Sequence, residues 1–149
     1  MQEFLETCAE IEHTMCRIYR KLADSERDND RARALWLQMA KDEADHVTQL
    51  RFAGCLPAES FSLGLSQDEV EALLCKAQKL LEDLEESPLT SRDALKLAID
   101  LEEEFMAVHA STALAFSDQK LKERFDRLAR ADEKHIGTLR EYFREIWPR

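Results

Sequence analysis

Glycine and proline are scarce in this chain, three of each in 149 residues. With so few residues suited to tight turns, a hairpin-rich all-β fold has no support. Basic residues are outnumbered, 21 Lys and Arg against 31 Asp and Glu, for a formal net charge of -10. Such a chain repels phosphate backbones and acidic headgroups, so no nucleic acid and no membrane surface is expected as a partner, and a cation is the more natural guest. No window approaches the roughly 18 uncharged apolar residues of a membrane span, and the opening MQEFLETCAEIEH has no basic region ahead of an apolar run. Neither a span nor a signal peptide is expected, and the expected location is cytoplasmic. The four cysteines, Cys8, Cys16, Cys55 and Cys75, form no C-x-x-C pair. They read as reduced, mostly small apolar fillers, although an even count leaves two disulfides open.

What the chain does have is charge, 35% of its residues, and an abundance of Ala, Leu, Glu, Lys and Arg. That is a helix-forming composition, and it predicts an all-α fold. A chain of this length can bury roughly two-thirds of its unfolded surface in one core, so a single domain over 1–149 is expected.

Apolar residues recur at spacings of three and four in several long stretches. The first, about 2–23, carries Phe4, Leu5, Cys8, Ile11, Met15, Ile18, Tyr19 and Leu22, and one acid, Glu12, interrupts its stripe. The second, about 30–52, has Asn29 or Asp30 as N-cap and Gly54 as the expected C′ residue. It sets Trp36, Met39, Ala40, Val47 and Leu50 around Glu43 and His46. Pro57, Ser60, Ser62 and Gly64 then predict an irregular link to a helix over about 67–86, opened by a Ser66–Glu69 capping box. Its apolar side, Val70, Leu73, Leu74, Ala77, Leu80, Leu81 and Leu84, holds no ionisable residue. This helix reads as a crossover, about 30 Å long and able to carry the chain from one end of a bundle to the other. Ser87-Pro88 ends it.

The next helix, about 92–116 behind a Thr90 or Ser91 cap, sets Leu95, Ala98, Ile99, Phe105, Met106 and His109 around an inward Glu102, with Glu103 its rival in an acidic run. The last, about 118–146 behind Ser117 or Asp118, sets Phe125, Leu128, Ile136 and Leu139 around Asp132 and His135. Trp147-Pro148-Arg149 stops it.

These helices form an internal repeat. MAKDEADH at 39–46 is echoed by LARADEKH at 128–135; Glu12 maps onto Glu102 and Tyr19 onto His109 at an offset of 90, while Trp36 maps onto Phe125, Glu43 onto Asp132 and His46 onto His135 at 89. With the crossover returning the chain to its starting end, the second pair relates to the first by an approximate two-fold axis. An acid three residues before a histidine points the same way on a helix, and one such pair is equally well a core histidine bonded to its neighbour. A single inward glutamate is equally well a boundary carboxylate paired with Lys or Arg. Two acid–histidine pairs and two further acids at similar depths are harder to read in that way.

Four carboxylates and two imidazoles are a ligand set for two divalent metals about 3.5 to 4 Å apart. Oxygen-rich ligation with one nitrogen per metal suits iron, with manganese the alternative, and the absence of cysteine near the histidine pairs argues against structural zinc. Without cations or bound protons, burying four such carboxylates would cost several kcal/mol each.

On these residues the chain resembles the ferritin-like superfamily, and within it the rubrerythrin-type di-iron domains without their rubredoxin-like domain. The resemblance covers residues 4 to 143 apart from the crossover helix, and implies a ferritin-like four-helix bundle. It implies Glu12, Glu43, His46, Glu102, Asp132 and His135 as metal ligands, two iron ions as cofactor, and the di-metal centre itself as the catalytic group. Glu12 with Tyr19 seven residues later matches the family, and Tyr19 would hydrogen-bond a ligand carboxylate. Glu102 is followed at that spacing by His109 where tyrosine is common, which makes His109, like Glu103, an accessory or alternative ligand. Asp132 stands where glutamate is expected, one methylene shorter.

The implied activity is reduction of hydrogen peroxide or dioxygen at a centre cycling between diferrous and diferric states, with a separate electron donor because the sequence has no pair of C-x-x-C motifs. Iron oxidation and delivery is the alternative of the same chemistry. A non-catalytic metal-binding or metal-sensing module, presenting the crossover helix or the Trp147 tail to a partner, is the alternative from another class. Leu37, Leu63, Leu65 and the tail are the exposed apolar residues expected to form a homodimer.

Overall fold

The computed structural model describes residues 1–56 and 65–148. Pro57, Ser60, Ser62, Leu63, Gly64 and Arg149, which carry part of the expected irregular link, dimer surface and tail, lie outside the described residues. Five helices are present and no strand among the described residues: α1 Gln2–Ser25, α2 Asp30–Gly54, α3 Gln67–Glu86, α4 Ser91–Ala115 and α5 Gln119–Ile146.

Local chemistry accounts for where α2, α3, α4 and α5 begin. Asn29 accepts from the Ala32 backbone N–H at 3.0 Å to open α2, and Asp118 accepts from Leu121 N–H at 2.9 Å to open α5. At α3 the capping box is complete: Ser66 Oγ accepts from Glu69 N–H at 3.2 Å while Glu69 Oε2 accepts from Ser66 N–H at 2.7 Å. The Ser66 N–H and, at 3.0 Å, the Ser66 hydroxyl both donate to Glu69 Oε2 and hold the exposed Glu69 carboxyl below its ordinary pKa. Thr90 opens α4 by accepting from Asp93 N–H at 3.2 Å. Each cap satisfies a donor that the helix start would otherwise leave unpaired. At the far end of α3, Ser87 is extended because Pro88 follows it.

Gly54 departs from expectation. It is the last residue of α2 rather than the C′ residue, Cys55 is the C-cap in a right-handed conformation, and no described glycine has a positive φ. A Cβ at Gly54 would sit 3.9 Å from Leu5 Cβ, an ordinary contact, so neither backbone nor space demands glycine.

The chain forms two compact units, α1, α2 and α3 in one and α4 and α5 in the other. In the first, α1 packs against both α2 and α3. Its interior holds Phe4, Leu5, Ile11, Met15, Ile18, Tyr19, Trp36, Met39, Leu50 and Val70, and each such large side chain contributes about 1.5 to 3 kcal/mol of transfer free energy. Arg51 of α2 lies 3.1 Å from Glu6 and 2.8 Å from Glu10 of α1, and Gln67 of α3 donates to Thr7 Oγ1 at 2.9 Å. In the second unit α4 packs against α5 around Leu95, Leu101, Phe105, Phe125, Leu128 and Leu139.

Candidate metal centre

Each unit buries a set of acids and histidines among these apolar side chains. In the first, Glu12 comes from the middle of α1 and Glu43 and His46 from the middle of α2; they are 2%, 1% and 5% exposed. His46 Nδ1 lies 3.0 Å from Glu43 Oε2 and 3.7 Å from Glu12 Oε2. Burial by itself would lower the His46 pKa, but the two carboxylates more than offset it and push it up to about 11. An imidazolium therefore occupies the position of a cation between Glu12 and Glu43. That is the charge balance a divalent metal would also supply, so these donors suit a metal.

The second unit repeats the pattern. Glu102 of α4 and Asp132 and His135 of α5 are all buried, and His135 Nδ1 faces Glu102 Oε2 at 3.5 Å just as His46 faces Glu12. It then departs from the first. Asp132 Oδ2 accepts from His109 Nδ1 of α4 at 2.7 Å, with both side chains 1% exposed. Glu103, the rival of Glu102, is 41% exposed and ion-paired with Arg140. Buried carboxylate–histidine groups that could hold a metal ion are thus present among the described residues.

Aromatic packing repeats too. Tyr19 is fully buried and stacks on Trp36, centroids 5.8 Å apart and planes 13° from parallel. At the matching positions of the second half, Phe125 meets His109 edge-on at 6.2 Å and 67°.

A comparison with protein-family models matches Rubrerythrin over residues 3–143. The chain belongs to the rubrerythrin family. The expected fold class, all-α and ferritin-like, follows with it. Neither the curated proteins nor the solved structures gave a match. The matched span of this rubrerythrin-family chain takes in α1 to α4 and most of α5.

Two features were not legible in the sequence. His109 and Asp132 stand 23 positions apart, with no local hint that they pair; the one available signal was that both break the internal repeat. The cysteines divide as well: Cys8 and Cys16 are buried, one turn before and one turn after Glu12, whereas Cys55 and Cys75 are exposed and are not the fillers expected. All four are free thiols. Burial, and then the Glu12 charge, push the Cys8 thiol up; burial and then Glu43, partly countered by Arg20, do the same for Cys16. Both thiols stay protonated, so they add no anionic ligand to the carboxylates. Among the described residues no helix is long and apolar enough to cross a membrane.

Proposed function

We propose that the two units form a single ferritin-like domain holding two irons, and that the protein reduces hydrogen peroxide or dioxygen there. Glu12, Glu43 and His46 supply one half of the ligands and Glu102, Asp132 and His135 the other. The reading is carried by one observation: a rubrerythrin-family chain buries an acid–acid–histidine set at corresponding positions in each half of its repeat. Six donors, mainly oxygen, suit iron, with manganese the alternative, better than copper or structural zinc.

When bound, the metal pair would supply two electrons to the substrate at a position shielded from bulk water. The protein's part follows from its side chains. His46 gives up its Nδ1 proton on loading, which turns an imidazolium counter-ion into a ligand. Glu12 and Glu43, released from that ion pair, balance the incoming charge. Tyr19 and Trp36, buried and stacked on each other, stand about two helix turns along from Glu12 and Glu43. In the second half Asp132 is oriented by His109 rather than by the histidine on its own helix turn.

Anaerobic iron loading followed by a peroxide pulse tests this reading. The expected result is about two irons per chain and a near-ultraviolet band that rises with the pulse. Retention of two irons by the Glu43→Ala, His46→Ala double variant, or a wild-type protein that binds iron but does not respond to peroxide or dioxygen, sinks the proposal.

A further inference from the structure

The two halves of the repeat differ at two matched positions of the site, and the two odd residues touch. Tyr19 corresponds to His109 and Glu43 to Asp132. In the second half those positions meet, His109 Nδ1 at 2.7 Å from Asp132 Oδ2 in a fully buried pair. We infer that His109 is a positioning residue for Asp132, and that the short Asp132 side chain so held makes the position it serves the weaker, later-filled of two metal positions. The inference rests on the di-metal reading above.

The reason is one of reach and acceptor capacity. Glu43 has an extra methylene, and its Oε2 lies 3.0 Å from His46, the histidine of its own helix turn. Asp132 is shorter, and its Oδ2 is taken by a third side chain from the neighbouring helix. With Oδ2 so engaged, Oδ1 is the Asp132 oxygen that would remain to hold a metal. His109 cannot easily release it. Its ring is held edge-on by Phe125, which itself packs on Phe116 at 5.0 Å between centroids, and all three side chains are buried. The same arrangement preserves order: with Nδ1 donating to the carboxylate, Asp132 is fixed before any metal arrives, as outer-shell partners commonly fix ligands.

Anaerobic titration with Co(II), followed by its visible absorption and by calorimetry, reads the two positions separately. Wild-type protein is expected to bind two ions in two steps whose dissociation constants differ by at least about tenfold. His109→Phe keeps the aromatic packing but loses the donor, and should weaken only the weaker step, by about 10- to 100-fold. His109→Asn, whose amide N–H sits near the position of Nδ1, should restore most of that loss. Asp132→Glu should narrow the gap between the steps, and it decides the matter if the Phe variant does not melt cooperatively. A wild type with indistinguishable steps, a Phe variant that leaves both steps alone or shifts both equally, an Asn variant without rescue, or a gap unchanged in Asp132→Glu overturns the inference. A wild type that binds neither cobalt nor iron overturns the di-metal reading itself, a separate and recognisable failure.

Discussion

The charge state of His46 offers the sharpest test of the first half-site. Its ring nitrogen sits 3.0 Å from Glu43 and 3.7 Å from Glu12 in a setting only 5% exposed. Burial opposes the charge, the two carboxylates favour it, and the outcome is a pKa of about 11 against an ordinary 6.5. At pH 7 the metal-free protein therefore favours the imidazolium by about 5 kcal/mol. Ring proton and nitrogen NMR signals of His46 in metal-free protein should keep their imidazolium positions from pH 5.5 to 9. Metal loading at pH 7.5 should release about one proton from this residue, measured by calorimetry in two buffers of different ionisation enthalpy and absent in His46→Gln. The stability consequence follows from the sign of the shift. A raised folded-state pKa stabilises the metal-free fold fully below about pH 6.5, the unfolded value, and that contribution is lost as pH rises through about 11. A His46 resonance titrating near 6.5 would refute the whole construction, because it would mean that the carboxylates do not hold a cation between them.

Three further outcomes are expected. Trp36→Ala removes a fully buried indole and its stacking on Tyr19, and should cost about 3 to 5 kcal/mol in chemical denaturation; a loss under about 1 kcal/mol would contradict the packing described. Gly137→Ala, in the interior of α5 with nothing within 4 Å of a new Cβ, should raise stability by about 0.5 to 1 kcal/mol in thermal melts, and a lowered melting temperature would count against that placement. Glu103→Ala should leave iron content unchanged and stability within about 0.5 kcal/mol, since its ion pair with Arg140 is exposed, whereas Glu102→Ala should lower iron content; the reverse pattern would exchange their assignments.

Much of the fold was legible because helices declare themselves locally. The spacing of Phe4, Leu5, Cys8, Ile11 and Met15 needs only the 3.6-residue period, and Asn29, Ser66, Thr90 and Asp118 cap by reaching three residues along their own chain. Gly54 misled because a glycine near a helix end resembles a C′ residue whether or not its φ becomes positive. Glu102 and Glu103 stayed ambiguous for a related reason. Adjacent residues are about 100° apart on a helix, and a broad apolar face admits either. The ion pair of Glu103 with Arg140, 37 residues away, separates them.

By itself the sequence determined the all-α class, the existence of the helix at about 67–86, the repeated helix pair and the inward course of Glu12, Glu43, His46, Asp132 and His135, all consequences of periodicity within single helices. Tertiary structure decided which side chains meet: His46 with Glu12, His135 with Glu102, and His109 with Asp132. Those contacts depend on the rotation and height of one helix against another, quantities set by packing over whole faces and carried by no short stretch of residues. For that reason the departures at His109 and Asp132 read as two separate irregularities in the sequence and as one buried hydrogen bond in the fold.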